Sequence, residues 1–257
     1  KLPPAPRSLL KSREAAAREA MVSAGFHEAI TYSFVSRAAL ARLGRGGEDA
    51  VGLQNPLSAE MEVMRTSLLA GLLECAALNL NRGAEEVRLF ETGRTFHRNG
   101  EGPLPGEVNR IAAVVAEGDA PALWREGPVL GGDPSLPPRL YDLKGALEQI
   151  ARLLRLPPLA FGPLAEGAPS FDPALGAAVR AGETEVGWFG MFPRAVSEGL
   201  GIHLRISAFE LDVDALAGAE VQPRRFEALP RFPASPRDLA VVIKEETLHA
   251  EAEAVIR

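Results

Sequence analysis

Cysteine is nearly missing from this chain: Cys75 is the only one in 257 residues. A disulfide framework is therefore excluded, as is a Cys-type zinc site, and the composition suits a reducing, cytoplasmic compartment. Lysine is scarce too. Lys1, Lys11, Lys144 and Lys244 are the four lysines among 28 basic residues, so the remaining 24 are arginine. Aromatics make up 6%, which leaves a core of Leu, Val, Ile and Ala. No apolar run approaches the ~20 residues needed to span a bilayer. No charged-then-apolar leader opens the chain, so neither membrane nor export is expected. The net charge of −6 argues against a nucleic-acid coat, while leaving room for a local basic patch. What is present, 46% apolar and 24% charged residues, is the makeup of a folded domain with a sizeable core.

The spacing of apolar residues predicts a helix over about 12–24, capped by Ser12, supported by Glu14 and Arg18 at i,i+4, and closed by Gly25. HEAITYSFVS reads as a strand of about 28–35. A short helix near 36–43, a GRGG turn at 44–47 and a second strand, AVGLQNPL, follow. TSLLAGLLECAALNLN at 66–81 is a helix with an unusually wide apolar stripe. Such width fits either an ordinary core helix or one shared with a partner subunit. Strands are expected at about 86–96 and 109–117, joined by a long loop over 98–107, with irregular chain at 118–138. A helix over about 139–156 places Leu140, Leu143, Leu147, Ile150 and Leu154 on one face and stops at Pro157-Pro158. Two short strands flank Gly182-Glu183 as a hairpin, and another covers about 206–213. A proline-rich stretch then leads to a strand, RDLAVVIKEE, and the start of a helix.

Chemistry-bearing motifs are few. His27, His97, His203 and His249 are scattered, and there is no HExxH, Walker loop or GxSxG elbow. Cys75, inside the leucine-rich helix, reads as a structural thiol. Asp212 and Asp214 alternate with Leu211 and Val213 and read as solvent-facing.

A set of phrases in fixed order carries more: GFHEAITYSFVS, LQNPLSAEMEVMRTSLLAGLLECAALNLNRG, VRLFETGRTFHR, YDLKGALEQIARLL, GWFGMFP, FELDVDAL and LPRFPASPRDLAVVI. The series resembles the C-terminal half of the β subunit of bacterial phenylalanine–tRNA ligases. The resemblance implies an α+β fold: a class II aminoacyl-tRNA synthetase-like antiparallel sheet flanked by helices over 1–218. A linker at 219–230 and the start of a ferredoxin-like anticodon-binding domain at 231–257 would follow.

It also implies a segment without catalytic residues, cofactor-binding residues or metal ligands of its own. ATP and magnesium would be used by the whole enzyme, whose aminoacylation site lies on the α subunit. The implied partners are that α subunit, in an α2β2 assembly, and tRNA(Phe) through the complete β subunit. Within this reading Leu68, Leu69, Leu72, Leu73 and Ala76, together with the helix of 12–24, are expected to face the α subunit.

Active class II enzymes hold the ATP α-phosphate with an arginine in a Phe-Arg-x-Glu strand, since charge builds on phosphate oxygens during adenylate formation. The matching strand here is Leu89-Phe90-Glu91-Thr92-Gly93-Arg94, with Glu91 at the arginine's place. The later strand-to-helix turn, GWFGMFPRAV, offers only Arg194. A buried Glu91 needs a partner, for which Arg65 is the candidate; a backbone-bonded or solvent-facing Glu91 is the alternative. The resemblance also breaks at Asp172-Pro173-Ala174, where the family commonly has His-Pro-Gly. Two rival functions remain open: a class II-like adenylate-forming enzyme with ATP on Arg94, Arg98 and Arg194, or a free-standing synthetase-derived binding module.

Overall fold

Two apolar layers, one on each side of a central strand, organise the larger part of the chain, up to Ala219. The computed structural model describes residues 9–44, 49–99, 104–117, 138–164 and 167–219, and beyond these 223, 226, 231–233, 235, 237–244, 247 and 249–256. The chain divides into two compact units between Pro223 and Arg224.

In the first unit the elements run α1 (Leu9–Ser23), β1 (His27–Glu28), β2 (Phe34–Val35), α2 (Arg37–Arg42), a 3-10 turn (Ala59–Met61), β3 (Val63–Met64) and α3 (Leu69–Asn81). Then come β4 (Glu86–His97), β5 (Gly106–Glu117), α4 (Pro138–Leu154), β6 (Leu159–Gly162), β7 (Gly176–Ala181), β8 (Thr184–Met191), α5 (Arg194–Gly199), β9 (Arg205–Asp212) and α6 (Val213–Gly218). Seven strands form one sheet in the order β1-β4-β5-β9-β8-β7-β6. Its ladders are antiparallel except that of β1 with β4, which is parallel.

The central strand β5 explains the layering. Ile111 to Ala116 are all buried, so both faces of the sheet are covered. Ile111, Ala113 and Val115 join Phe90, Phe209 and Leu211 under α1, α4 and α6. Ala112, Val114 and Ala116 join Ile206 and Ala208 under α3 and α2. α4 meets its core with Leu140, Leu143, Leu147, Ile150 and Leu154, as the 3.6-residue period requires, and stops short of Pro157-Pro158. α1 buries Ala17, Ala20 and Met21. Arg18 bonds Glu14 at 3.2 Å and Glu28 at 2.7 Å, and so ties α1 to the sheet edge.

Several expectations are corrected. Ser12 lies inside α1 and is not its cap, because the helix begins at Leu9. The strand expected over 28–35 is two short pieces in different sheets: β1 pairs with β4 and β2 with β3. Between them Thr31 leaves the ladder, its hydroxyl bonded to Glu91 and Arg65. AVGLQNPL keeps one bridge, Gly52 to Val63, instead of a strand. Pro56 has no N–H to continue a ladder. Asp212 is the last residue of β9, half-buried, and caps α6 by accepting from Ala215 N–H at 2.8 Å; Asp214 lies not on the strand but in α6, where it is exposed and accepts from Asn109. β6 had no sequence counterpart. The GRGG turn beyond Gly44, the middle of the 98–107 loop, and nearly all of 118–138 lie outside the described residues.

In the second unit, residues 237–244 form no strand, and Leu239, Val241, Val242 and Ile243 are exposed. A strand is a paired object, and no neighbouring strand occurs among the described residues of this unit. Its helix, α7 (His249–Ile256), forms where one was expected to start.

Candidate functional site

One rung of the sheet carries two buried carboxylates. Glu91 on β4 stands opposite Ala112 on β5, Ala112 opposite Glu210 on β9, and Glu210 opposite Trp188 on β8. Ala112 and Ala208 assign this face to the α3 side. Glu91 is 2% and Glu210 0% exposed, so each needs internal compensation.

Glu91 obtains it from Arg65, in the segment leading into α3. Arg65 Nη1 donates to Glu91 Oε1 at 2.7 Å, and both side chains are almost fully buried. Arg65 Nη1 also donates to Thr31 Oγ1 at 3.1 Å, and its Nε donates to the Arg94 carbonyl at 2.9 Å. Thr31 in turn donates to Glu91 Oε2 at 2.7 Å, so both carboxylate oxygens are engaged. Two glycines make room. A Cβ on Gly93 would lie 2.4 Å from Arg65 Nη2, and one on Gly71 would lie 2.3 Å from Thr31 Oγ1.

Glu210 serves the start of α3. Leu68, the N-cap residue, has no capping side chain, and its N–H donates to Glu210 Oε1 at 2.7 Å; Ser67 Oγ donates to the same oxygen at 3.1 Å. A carboxylate there also meets the positive end of the helix dipole. Its Oε2 is buried without a hydrogen-bond partner, as is Arg110 Nε. The Arg110 guanidinium sits 5.8 Å from the centre of the Trp188 ring, a cation–π distance. Thus both acids anchor the chain between β3 and α3 onto the sheet.

The three arginines that an ATP site would use are all exposed. Arg94, three residues beyond Glu91, pairs with Glu107 at 2.7 Å, and Arg194 pairs with Glu198 at 2.9 Å. Arg98 gives its backbone N–H to the Asp49 carbonyl. Among the described residues no three His, Cys, Asp or Glu side chains converge as a metal-binding group. Cys75 is half-buried, with Asn79 Nδ2 at 3.6 Å from its sulfur. On the outer side of α3, burial pushes the Glu74 carboxyl above its usual range; Arg42 opposes this and Glu60 adds to it.

The expected interface residues require a correction. Leu68, Leu69, Leu72, Leu73 and Ala76 are each at most 2% exposed. They share one core with Val35, Leu40 and Leu43 on one side and Ala112 and Val114 on the other. The stripe is wide because α3 packs against both its own sheet and the α2 layer, so these five residues are closed to a partner. α1 likewise turns Ala17, Ala20 and Met21 inward. Thr31, Ser67, Arg110 and Glu210 were missed from sequence. Glu210 had a detectable signal: it is an acid within the otherwise apolar strand ISAFEL.

Comparison with known proteins places this geometry. The family model described as "Phenylalanyl tRNA synthetase beta chain CLM domain" matches residues 1–213. The phenylalanine–tRNA ligase β subunit of Moorella thermoacetica is 39% identical over 249 residues, 95% of this chain and 30% of that protein. Those of Methylococcus capsulatus and Anaeromyxobacter dehalogenans are 34% identical over 229 and 265 residues, covering 89% and 99% of this chain and 27% and 32% of theirs. The chain therefore spans about 30% of the length of these curated relatives. Two structures of pyrrolysyl-tRNA synthetase from Desulfitobacterium hafniense share its fold. Each covers 80% of this chain over 67% of its own, with TM-scores of 0.57 and 0.59 at 17% and 16% identity. The α+β class II synthetase fold is thereby shown.

Proposed function

Because the chain belongs to the phenylalanyl-tRNA synthetase beta chain CLM-domain family, we propose that it works as the non-catalytic, synthetase-like part of a phenylalanine–tRNA ligase β subunit. The whole enzyme would attach phenylalanine to tRNA(Phe) with ATP and magnesium on the α subunit. This part would hold that subunit within an α2β2 assembly, and the complete β subunit would contact the tRNA in the cytoplasm. The observation that carries this reading is the Arg65–Glu91 pair. Where a phosphate-binding arginine would be expected, the chain has an acid neutralised from within.

The surface that suits such a partner is the ribbon between β1 and β2. Ala29 N–H bonds the Phe90 carbonyl, Arg65 N–H bonds the Ser33 carbonyl, and Thr31 points into the Glu91 network. The ribbon is thus held in place while Ile30 and Tyr32, on the outer side, are 92% and 72% exposed. Two large apolar groups on a fixed ribbon at a sheet edge fit a permanent protein contact better than water.

Co-expression with the α subunit tests this. Ile30→Asp with Tyr32→Asp is expected to abolish co-elution while leaving the thermal transition of the free chain within a few degrees. Leu72→Asp should instead unfold the chain, since it buries a charge in the core. Full-stoichiometry co-elution of the double variant would remove the ribbon from the contact.

A further inference from the structure

A cavity of about 370 Å³ lies away from the Glu91 row, between the end of β8, α5 and the start of β9. Met191 and Leu204 contribute apolar floor, while Asp172, Arg194, His203 and Arg205 supply charged and polar groups. Asp172, the first residue of the Asp172-Pro173-Ala174 segment, stands on one wall together with Leu175. The wall is set by backbone bonds: Asp172 N–H to the Met191 carbonyl at 2.8 Å and Phe192 N–H to the Ile206 carbonyl at 2.8 Å. Phe171 and Phe192 pack behind it with ring centres 4.8 Å apart.

The polar groups are only partly used. Asp172 Oδ1 accepts from Ala174 N–H at 2.9 Å, which leaves Oδ2 open. Arg194 engages Glu198 through Nε, and its terminal nitrogens make no bond among the described residues. The side chains of Arg205 and His203 make no hydrogen bond or ion pair among the described residues and are exposed. The cavity therefore offers an acceptor on one wall, cationic donors on the other and an apolar floor between them.

We propose that this cavity takes one unpaired cytidine nucleotide of an RNA strand. The three features match its three parts. A carboxylate accepts from the cytosine 4-amino group, arginines take the phosphate, and the base lies on the apolar floor. Single-stranded bases, unlike duplex ones, present such an edge and face together. The proposal rests on the reading of the chain as part of a tRNA ligase.

Fluorescence anisotropy of labelled hexacytidylate and hexauridylate with the 257-residue chain tests it. Hexacytidylate should bind more tightly, with an affinity that falls as salt rises. Arg205→Gln should weaken it at least tenfold and reduce the slope of log affinity against log salt by about 0.7, one phosphate contact to a single strand. Asp172→Asn should erase the preference for cytidine. Arg180→Gln, an exposed arginine on β7, should change nothing. The proposal is overturned by binding that ignores salt, by absence of a base preference, by equal loss in Arg180→Gln, or by polyglutamate binding as tightly as hexacytidylate. Co-elution with the α subunit reads a separate surface. A chain that assembles but ignores the oligonucleotide overturns only the cavity, and one that binds it but never assembles overturns only the assembly reading.

Discussion

Arg65→Ala should destabilise the first unit by about 3–5 kcal/mol, the cost of leaving a buried charge without its partner. The guanidinium is 5% exposed and is the only cation bonded to Glu91 among the described residues. Its removal also frees Thr31 Oγ1 and the Arg94 carbonyl from their donor. Water cannot easily replace it, because Thr66, Ser67 and Leu68 beside it are fully buried. The loss should appear as a lower midpoint in urea at unchanged slope, the sign of altered stability and not of altered compactness. Arg65→Met combined with Glu91→Leu should recover most of it, since buried pairs are often replaceable by apolar groups of similar volume. A loss below about 1 kcal/mol in Arg65→Ala would show the pair to be solvated and the site open.

How much of this was readable beforehand depends on whether a pattern names its partner. α4 was legible because five apolar residues at helical spacing and a double proline act locally. The β7–β8 hairpin was legible because Gly182, at φ +62°, sits in a turn that needs a left-handed residue. The stripe of α3 was legible as burial but not as burial against what. Leu68 and Leu72 look the same in sequence whether they meet a second subunit or the α2 layer. The ribbon of 27–35 failed for a related reason. Period-2 alternation reports an extended chain, and only the distant Arg65 and Glu91 decide that Thr31 leaves the ladder. Glu91 stands out in the sequence because the family pattern has an arginine at its place. Glu210 has no such pattern behind it, and its bond to the Leu68 N–H exists only once β9 and α3 meet.

The isolated chain should show no phenylalanine-dependent ATP–pyrophosphate exchange above buffer. Adenylate formation needs fixed positive charge where the phosphates gather charge, and removing one such donor typically costs on the order of 3–4 kcal/mol, or 10²–10³ in rate. Here the first position is a carboxylate, so the loss should exceed that of a simple deletion. The substitution cannot be repaired from nearby. Arg94 is an odd number of residues from Glu91 on the same strand, which turns it to the other face of the sheet, where it is exposed and engaged by Glu107. Arg65 has the right charge on the right face, but its guanidinium is committed to Glu91, Thr31 and a backbone carbonyl. Gly93 and Gly71 permit this close filling, and it leaves the arginine no freedom to turn toward a nucleotide. Nor should Glu91→Arg create activity, because it would place two guanidinium groups together in a buried site and unfold the strand's support. Exchange that survives removal of contaminating synthetase and disappears in Arg94→Ala would overturn this account and make the chain an adenylate-forming enzyme in its own right.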